Sequence, residues 1–185
     1  TIVQYRDING DGYPDVLTAG SNDGSVNARL SKIGKTNLLK SVNTPLGGSW
    51  EIDYTREGNT YDMPSSKWAL SMIKTHDGFD GDNEWDGANS ESLTTISYQN
   101  PKHDRREREF LGFAEMRINE KDPENVESDL DADAFRYVIN EYHTENYYLK
   151  GAKKSSITFD ENGLELAKKE NAYALVNPVS TSNIL

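Results

Sequence analysis

The chain has 185 residues, of which 35% are hydrophobic and 28% are charged, and its formal net charge is −11. This charge repels phosphate backbones, so nucleic acid is not an expected partner, and the lack of cysteine excludes disulfides and thiolate metal sites. No apolar run approaches the roughly 20 residues of a membrane-spanning helix, whereas the many Tyr, Thr, Ser, Asn and Gly residues favour a β-rich protein.

The first motif, residues 7–15 with the sequence DINGDGYPD, lies between two short predicted strands, 2–5 and 16–18. Its acidic and amide side chains alternate before a glycine, as in the first half of a calcium loop, where short oxygen side chains converge on a hard cation. Thr18 stands where an EF-hand needs glutamate, so the EF-hand is excluded, and Asp15 supplies the closing carboxylate instead. The alternative interpretation is a hairpin turn rich in Asn, Gly and Asp that needs no metal.

This loop resembles the FG-GAP or VCBS repeat of β-propeller blades, in which a calcium loop joins two strands. In the metal-binding interpretation, calcium is held by four side chains and by one backbone carbonyl, namely Asp7, Asn9, Asp11 and Asp15 and the carbonyl of Tyr13. Residues 19–36 lack a sustained apolar period, which predicts a linker or a domain edge. We therefore expect a partial blade over residues 1–30 and a second β-domain over residues 31–185.

Three strands are predicted next, over residues 38–42, 50–54 and 68–75, with turns at 45–48 and 61–64. Alternation places Trp50, Ile52 and Tyr54 on one face, and it groups Trp68, Leu70 and Met72 in the third strand. The spacing of these aromatic side chains favours core packing over a ligand platform.

Two acidic stretches interrupt the predicted strands. Residues 77–86 contain five carboxylates, which is compatible with a second calcium loop, but Asn83 and Trp85 stand where such loops place glycine or a strand residue, so a solvated loop is favoured. Residues 120–133 are acidic, contain Pro123 and lack aromatic residues, which predicts an exposed loop or local disorder.

Residues 102–113, KHDRREREFLGF, are predicted to begin a long, half-exposed strand that continues to residue 118. Alternation would place Arg105, Glu107 and Glu109 on one face and the intervening residues, Arg106, Arg108 and Phe110, on the other. Further strands are predicted over residues 93–98, 135–142, 157–159 and 164–166, and an Asn-Gly turn joins the last two. The second domain is thus expected to contain about nine to eleven strands.

The segment KHDRREREFLGFAEM resembles the signature of the middle region of insecticidal toxin complex B subunits, which is shared with SpvB-like and Rhs-type secreted proteins. Two further blocks, residues 37–50 and 58–68, fit the same region in the same order, so the resemblance covers roughly residues 30–175. It implies a mainly β fold: an antiparallel, toxin-shell-like β-sheet domain with a partial β-propeller blade at the N-terminus.

We find no catalytic motif in the sequence. His76, His103 and His143 are far apart and form no paired zinc-ligand spacing, and no GxSxG elbow, P-loop or GxGxxG is present. With 31 acidic residues, a glycosidase-like carboxylate pair can always be proposed, so it carries little weight. The chain is therefore not expected to be an enzyme.

The resemblance implies a structural scaffold of a large bacterial secreted or cell-surface toxin-like protein, part of a β-propeller or shell that encloses or presents a toxin module. We expect the chain to be a piece of that protein, whose partners are other domains of the parent protein or other toxin subunits. An isolated piece with unpaired sheet edges would tend to self-associate. The alternative is a calcium-dependent carbohydrate- or protein-binding module that contacts its ligand through Trp50, Trp68, Trp85 and Tyr61.

Overall fold

The computed structural model describes residues 2–20, 24–78, 91–121 and 134–174. These residues contain eleven β-strands and no helix, and every paired strand is antiparallel to its neighbour. The strands form two sheets, one of three strands and one of eight. The prediction of a mainly β, antiparallel fold is confirmed, while the propeller blade stays a prediction.

The three-stranded sheet has the order β1-β2-β3 and comprises β1 (Ile2–Arg6), β2 (Asp15–Ala19) and β3 (Val26–Arg29). The first two strands confirm the prediction. The third strand lies inside residues 19–36, which were predicted to hold a linker or a domain edge. Residues 26–29 are therefore a strand rather than a linker, while the three-stranded sheet ends within this segment, at Arg29. β3 is exposed at every position, which explains why no apolar periodicity marks it in the sequence.

The eight-stranded sheet follows the chain order from one edge to the other. Its strands are β4 (Ser41–Asn43), β5 (Ser49–Glu57), β6 (Lys67–His76), β7 (Glu91–Asp104), β8 (Glu109–Lys121), β9 (Ala134–Tyr142), β10 (Lys153–Asp160) and β11 (Glu165–Glu170). The described part of residues 31–185 therefore has eight strands, fewer than the nine to eleven predicted. The predicted Asn-Gly hairpin joins β10 to β11, and Gly163 has the positive φ of 81° that the tight turn needs.

Consecutive antiparallel pairing places alternate connections at the same end of the sheet. The connections after β5, β7 and β9 lie together at one end, which we call the turn end: residues 58–66, 105–108 and 143–152. The connections after β6 and β8 leave from the opposite end. Glu120, which the prediction included in the second acidic loop, belongs to β8 instead. Residues 79–90 and 122–133 of the two predicted loops lie outside the described residues, so their interpretation stays a prediction.

The core is small. Among the described residues, the buried apolar side chains are Met63, Leu93, Leu111 and Ala134. An aromatic cluster adds to it near the turn end, where the ring of Phe113 lies 4.9 Å from that of Tyr98 and 5.3 Å from that of Phe110. Most other strand side chains are half-buried, as expected for a sheet that no second layer of the described residues covers.

The register corrects one predicted grouping of side chains. Tyr54 is paired with Leu70 and Asp53 with Met72, so a β-bulge at Ser71 breaks the alternation of β6. Met72 therefore does not share a face with Trp68 and Leu70. The face that carries Ile52 is continued by Ile73, its register partner.

The charged segment 105–108 is a turn rather than a strand, so its predicted alternation is wrong. The carboxylate of Asp104 accepts hydrogen bonds from the backbone N–H groups of Arg106 and Glu107, at 2.8 and 3.1 Å. Arg108 has a φ of 55°, outside the range of a strand. An Asp side chain that captures backbone donors in this way competes with the sheet ladder and ends the strand.

Candidate functional site at the Asp7–Asp15 loop

The Asp7–Asp15 loop connects β1 to β2 and folds around the carboxylate of Asp7. That carboxylate accepts hydrogen bonds from the backbone N–H groups of Gly10, Asp11 and Gly12, at 2.7, 3.0 and 2.8 Å. Gly10 and Gly12 have φ values of 72° and 81°, a backbone region that glycine adopts without steric cost. The two glycines therefore allow the backbone to curl around the acidic side chain.

Asn9 and Asp11 hold the other side of the loop together. The Asn9 amide nitrogen donates to Asp11 Oδ2 at 2.9 Å, and the Asp11 backbone N–H donates to Asn9 Oδ1 at 3.1 Å. Asp11 Oδ1 accepts the backbone N–H of Tyr13 at 2.8 Å. These are the local side chain to backbone bonds that stabilise a turn in the absence of a metal.

Asp15 closes the loop and is fully buried. Its carboxylate accepts the backbone N–H of Ser31 at 2.7 Å and that of Ile8 at 2.9 Å. These two donors, that of Ser31 first, hold the pKa of the Asp15 carboxyl below its ordinary value of 3.8. The Tyr13 hydroxyl donates to the carbonyl of Gly34 at 3.0 Å, so the segment after β3 is fastened to the loop at two points.

The loop also contacts the eight-stranded sheet, through a set of residues that we call the inter-sheet joint: Asn9, Gly10, Asp11, Arg56 and Asn59. The Asn59 amide donates to the Asn9 carbonyl at 3.3 Å, and Arg56 Nη1 lies 4.0 Å from Asp11 Oδ2. A Cβ atom on Gly10 would lie only 2.2 Å from the end of the Asn59 side chain and would displace it, and the φ of 72° also favours glycine at this position. The loop thus holds the smaller sheet against the β5–β6 hairpin.

A cavity of about 160 Å³ lies beside this joint and is lined by side chains from both sheets, including Asp11, Tyr13, Arg56 and Trp68. The buried Ser66 Oγ has no hydrogen-bond partner among the described residues. Lys35, in the segment between the two sheets, also contacts the β5–β6 hairpin. Its Nζ lies 2.6 Å from Asp53 Oδ1 and 5.6 Å from the centre of the Trp68 ring.

The donor set of the loop has the chemistry that calcium prefers. Asp7 Oδ1 already accepts two N–H groups, whereas Asp7 Oδ2 accepts only that of Gly12 and keeps a lone pair for an ion. However, within the described ranges, no three acidic or histidine side chains converge on a point that could hold a metal ion. Calcium binding would therefore require the loop to close further around the ion. The predicted ligands Asp7, Asn9, Asp11, Tyr13 and Asp15 lie in one loop, and their role as ligands stays a prediction.

The structure does not bring the other candidate residues into one site. Trp50 and Trp68 lie at opposite ends of the β5–β6 hairpin, opposite Thr75 and Arg56, and Trp85 lies outside the described residues. The predicted aromatic contact face is therefore not assembled among the described residues. His76, His103 and His143 lie at three separate strand ends, near Gly78, Asp104 and Glu145.

Sequence reasoning missed the joint because its partners are far apart in the chain. Asn59 is 50 residues from Asn9, and it precedes the turn predicted at residues 61–64, so it was given no structural role. The sequence offers one signal of this contact, which is the glycine at position 10 between Asn9 and Asp11.

A comparison with protein-family models matches residues 1–151 to the insecticide toxin TcdB middle/N-terminal region. The match covers both sheets as far as the connection after β9. The chain belongs to this family. The resemblance to the middle region of toxin complex B subunits is thereby confirmed, whereas the FG-GAP or VCBS repeat stays a prediction.

Solved structures share the fold of this family member. A crystal structure of TcdB2-TccC3 matches with a TM-score of 0.57 and 16% identity, and one of TcdB2-TccC3-Cdc42 with a TM-score of 0.55 and 16% identity. The holotoxin pore of Photorhabdus luminescens matches with a TM-score of 0.55 and 16% identity. Each match covers 86% of this chain but only 10% of the solved chain, so the family member spans about a tenth of their length. No curated protein sequence matches the chain.

The family member also shows no membrane-spanning helix in the part of the chain that the structure describes.

Proposed function

We propose that this chain is a non-enzymatic structural region of a toxin-complex subunit, in which the eight-stranded sheet forms part of a wall. The observation that carries the proposal is the continuous pairing from β4 to β11 in a chain that belongs to a toxin middle-region family. A twisted sheet whose edges are covered by neighbouring parts can separate an interior from solvent. The solved structures support the fold.

The faces of the sheet suit a wall better than a closed core. On one face, Asn119 is buried, accepts the Arg117 Nε–H at 2.9 Å and donates to Thr95 at 3.3 Å. The Arg117 guanidinium lies 4.2 Å from the centre of the Tyr137 ring, which stacks on Phe159 at 4.9 Å. Such cross-strand polar and aromatic contacts stabilise a sheet without a second apolar layer.

The three-stranded sheet is proposed to belong to a β-propeller blade that the joint attaches to this wall. The support is the order of a short strand, an Asp/Asn loop and a second strand, together with the contacts of Gly10 and Asp11 with the β5–β6 hairpin. Calcium at the Asp7–Asp15 loop is a separate proposal, supported by the oxygen-rich donor set of that loop.

The proposed partners are the other domains of the parent protein and other toxin subunits. Support comes from the solved relatives, which are named as assemblies of TcdB2 with TccC3 and as a holotoxin pore. The proposed location is outside the bacterial cell or at its surface, and the proposed role is to enclose or present a toxin module.

The experiment compares two aspartate substitutions in the full-length subunit that contains this region. Leu93 is 2% exposed in the interior strand β7, whereas Leu46 is 92% exposed in the β4–β5 turn. We expect Leu93→Asp to abolish assembly with the partner subunit in a co-purification assay, because it buries a charge in the sheet, and Leu46→Asp to assemble normally. A Leu93→Asp subunit that assembles normally would overturn the proposal.

A further inference from the structure

Charge is distributed unevenly between the two ends of the eight-stranded sheet. The connection 77–90 contains five acidic residues, the connection 122–133 contains six, and neither contains lysine or arginine. Both leave the sheet at the end opposite the turn end. The connection 105–108, at the turn end, contains three arginines and one glutamate. The three connections of the turn end together contain four basic residues and three acidic residues, a net charge of +1, and the basic charge is concentrated in the 105–108 turn.

The arginine turn is held in a defined position. Besides the capping of the turn by Asp104, Arg105 donates from Nη2 to the carbonyl of Tyr61 at 2.9 Å. Its guanidinium also lies 4.0 Å from the centre of the Tyr61 ring. This combination of a hydrogen bond and a cation–π contact fastens the 105–108 turn to the 58–66 connection. The backbone of the turn and the Arg105 side chain are therefore ordered before a partner binds, which lowers the entropic cost of binding.

Two arginines of this turn are available for a partner. Arg106 and Arg108 are exposed, and neither forms an ion pair within 4.0 Å with any other residue that the structure describes. Lys150 contacts Glu109 next to the turn and also lies 4.7 Å from the centre of the Tyr147 ring. Tyr61 and Tyr148 are 76% and 79% exposed at this end of the sheet.

We propose that this Arg–Tyr surface binds a carboxylate-rich segment of another protein chain; it consists of Tyr61, Arg105, Arg106, Arg108, Tyr148 and Lys150. A guanidinium presents a rigid fork of donors that fits a carboxylate in two parallel hydrogen bonds. Arginine and tyrosine are among the residues that most often carry binding energy at protein interfaces. Charge complementarity thus selects an acidic segment, as in the acidic connections of this chain, which emerge at the far end of the same sheet.

The same observations disfavour a polyanion of high charge density. Glu107 lies within the turn, and the net charge of the whole chain is −11, so a nucleic acid or an anionic lipid surface would meet strong repulsion around the patch. A flexible acidic peptide can place single carboxylates on Arg106 and Arg108 and avoid Glu107. This surface is separate from the wall proposed above. If the surface does not bind an acidic peptide, the proposal that the sheet forms a wall is unaffected.

The test measures binding of a fluorescent synthetic peptide with the sequence of residues 122–133, DPENVESDLDAD, by fluorescence anisotropy at low and physiological salt. Arg106→Ala/Arg108→Ala is compared with Arg6→Ala/Arg29→Ala, which removes the same charge from exposed positions of the smaller sheet. We expect the first double variant to bind at least about tenfold more weakly and the second to stay within about twofold of wild type. Glu107→Gln should bind more tightly than wild type.

Three outcomes would overturn the proposal. The first is the absence of saturable binding to the wild-type chain at low salt. The second is an equal loss in both double variants, which would show that only the overall charge matters. The third is stronger binding to phosphatidylserine vesicles than to the peptide, which would assign the surface to a membrane.

Discussion

Asp15, at the start of β2, accepts the backbone N–H of Ser31 at 2.7 Å, although the two residues are 16 positions apart. The same carboxylate accepts the N–H of Ile8 from within the loop. One buried acidic side chain therefore connects the loop with the segment that leads from the smaller sheet to the larger one. This connection makes the Asp7–Asp15 loop a structural element, whether or not it also binds calcium.

Replacement of Asp15 by asparagine should lower the melting temperature by roughly 5 °C at pH 7, because the amide can satisfy only one of two buried N–H donors well. Since the folded-state pKa of Asp15 lies below 3.8, its stabilising effect is present above that pH and is lost as the pH falls through the folded pKa. The difference from wild type should therefore shrink in acid. Thermal unfolding followed by circular dichroism at pH 3 to 7 checks this, with exposed Asp62→Asn as the control. An unchanged melting temperature at pH 7 would contradict the role of Asp15.

Replacement of Glu57 by glutamine should raise the melting temperature at pH 7, whereas replacement of Asp15 lowers it. Burial raises the pKa of the Glu57 carboxyl above its ordinary value of 4.5. The folded state then binds more protons than the unfolded state as the pH rises above 4.5, so the ionised group costs stability at neutral pH. We expect Glu57→Gln to raise the melting temperature at pH 7 and to have little effect at pH 4. Exposed Glu161→Gln serves as the matched control, and a lower melting temperature for Glu57→Gln at pH 7 would show that the carboxylate is stabilising.

Replacement of Gly10 by alanine should destabilise the inter-sheet joint. The new methyl group would overlap the Asn59 side chain at 2.2 Å, and φ at position 10 is 72°, which costs about 1–2 kcal/mol for a residue with a Cβ atom. Chemical denaturation measures the free energy of unfolding. The double variant Gly10→Ala/Asn59→Ala should recover the free energy that the overlap with Asn59 costs, but not the free energy that the positive φ at position 10 costs. Equal losses in the single and double variants would mean that Asn59 does not pack on Gly10.

Calcium should stabilise the chain if the Asp7–Asp15 loop closes around the ion. At free calcium about 100 times its dissociation constant, linkage adds roughly 2.7 kcal/mol, which corresponds to a rise in melting temperature of about 5–10 °C over the value in EDTA. Asp11→Ala should abolish the rise, whereas exposed Asp62→Ala should retain it. Equal melting temperatures in calcium and EDTA would leave the loop as a metal-free turn.

The sequence predicted most strands from their residue types and flanking turns. β1, β2, β6, β9 and the β10–β11 hairpin lie within a few residues of their expected bounds, although β1 and β11 are exposed at every position and the bulge at Ser71 interrupts the alternation of β6. The prediction failed at residues 105–108, where alternating charges imitate a strand. There the side chain of Asp104 captures two backbone donors, and a hydrogen bond of this kind leaves no trace in the periodicity.

The candidate site was predictable only in part. The alternation of Asp7, Asn9 and Asp11 identified the loop, and Asp15 was expected to close it. The contacts that fix the loop to the larger sheet, those of Arg56 and Asn59, join residues more than 40 positions apart. Such pairs depend on how two sheets pack, which no local pattern encodes.

Amide hydrogen exchange measures whether the eight-stranded sheet behaves as one rigid wall. β7 and β8 are the longest strands, with 14 and 13 residues, and both lie inside the sheet. We therefore expect the slowest exchange in their paired segments, 93–99 and 115–121, and fast exchange in the 105–108 turn between them. Exchange in β7 and β8 as fast as in that turn would contradict a rigid wall and the scaffold role built on it.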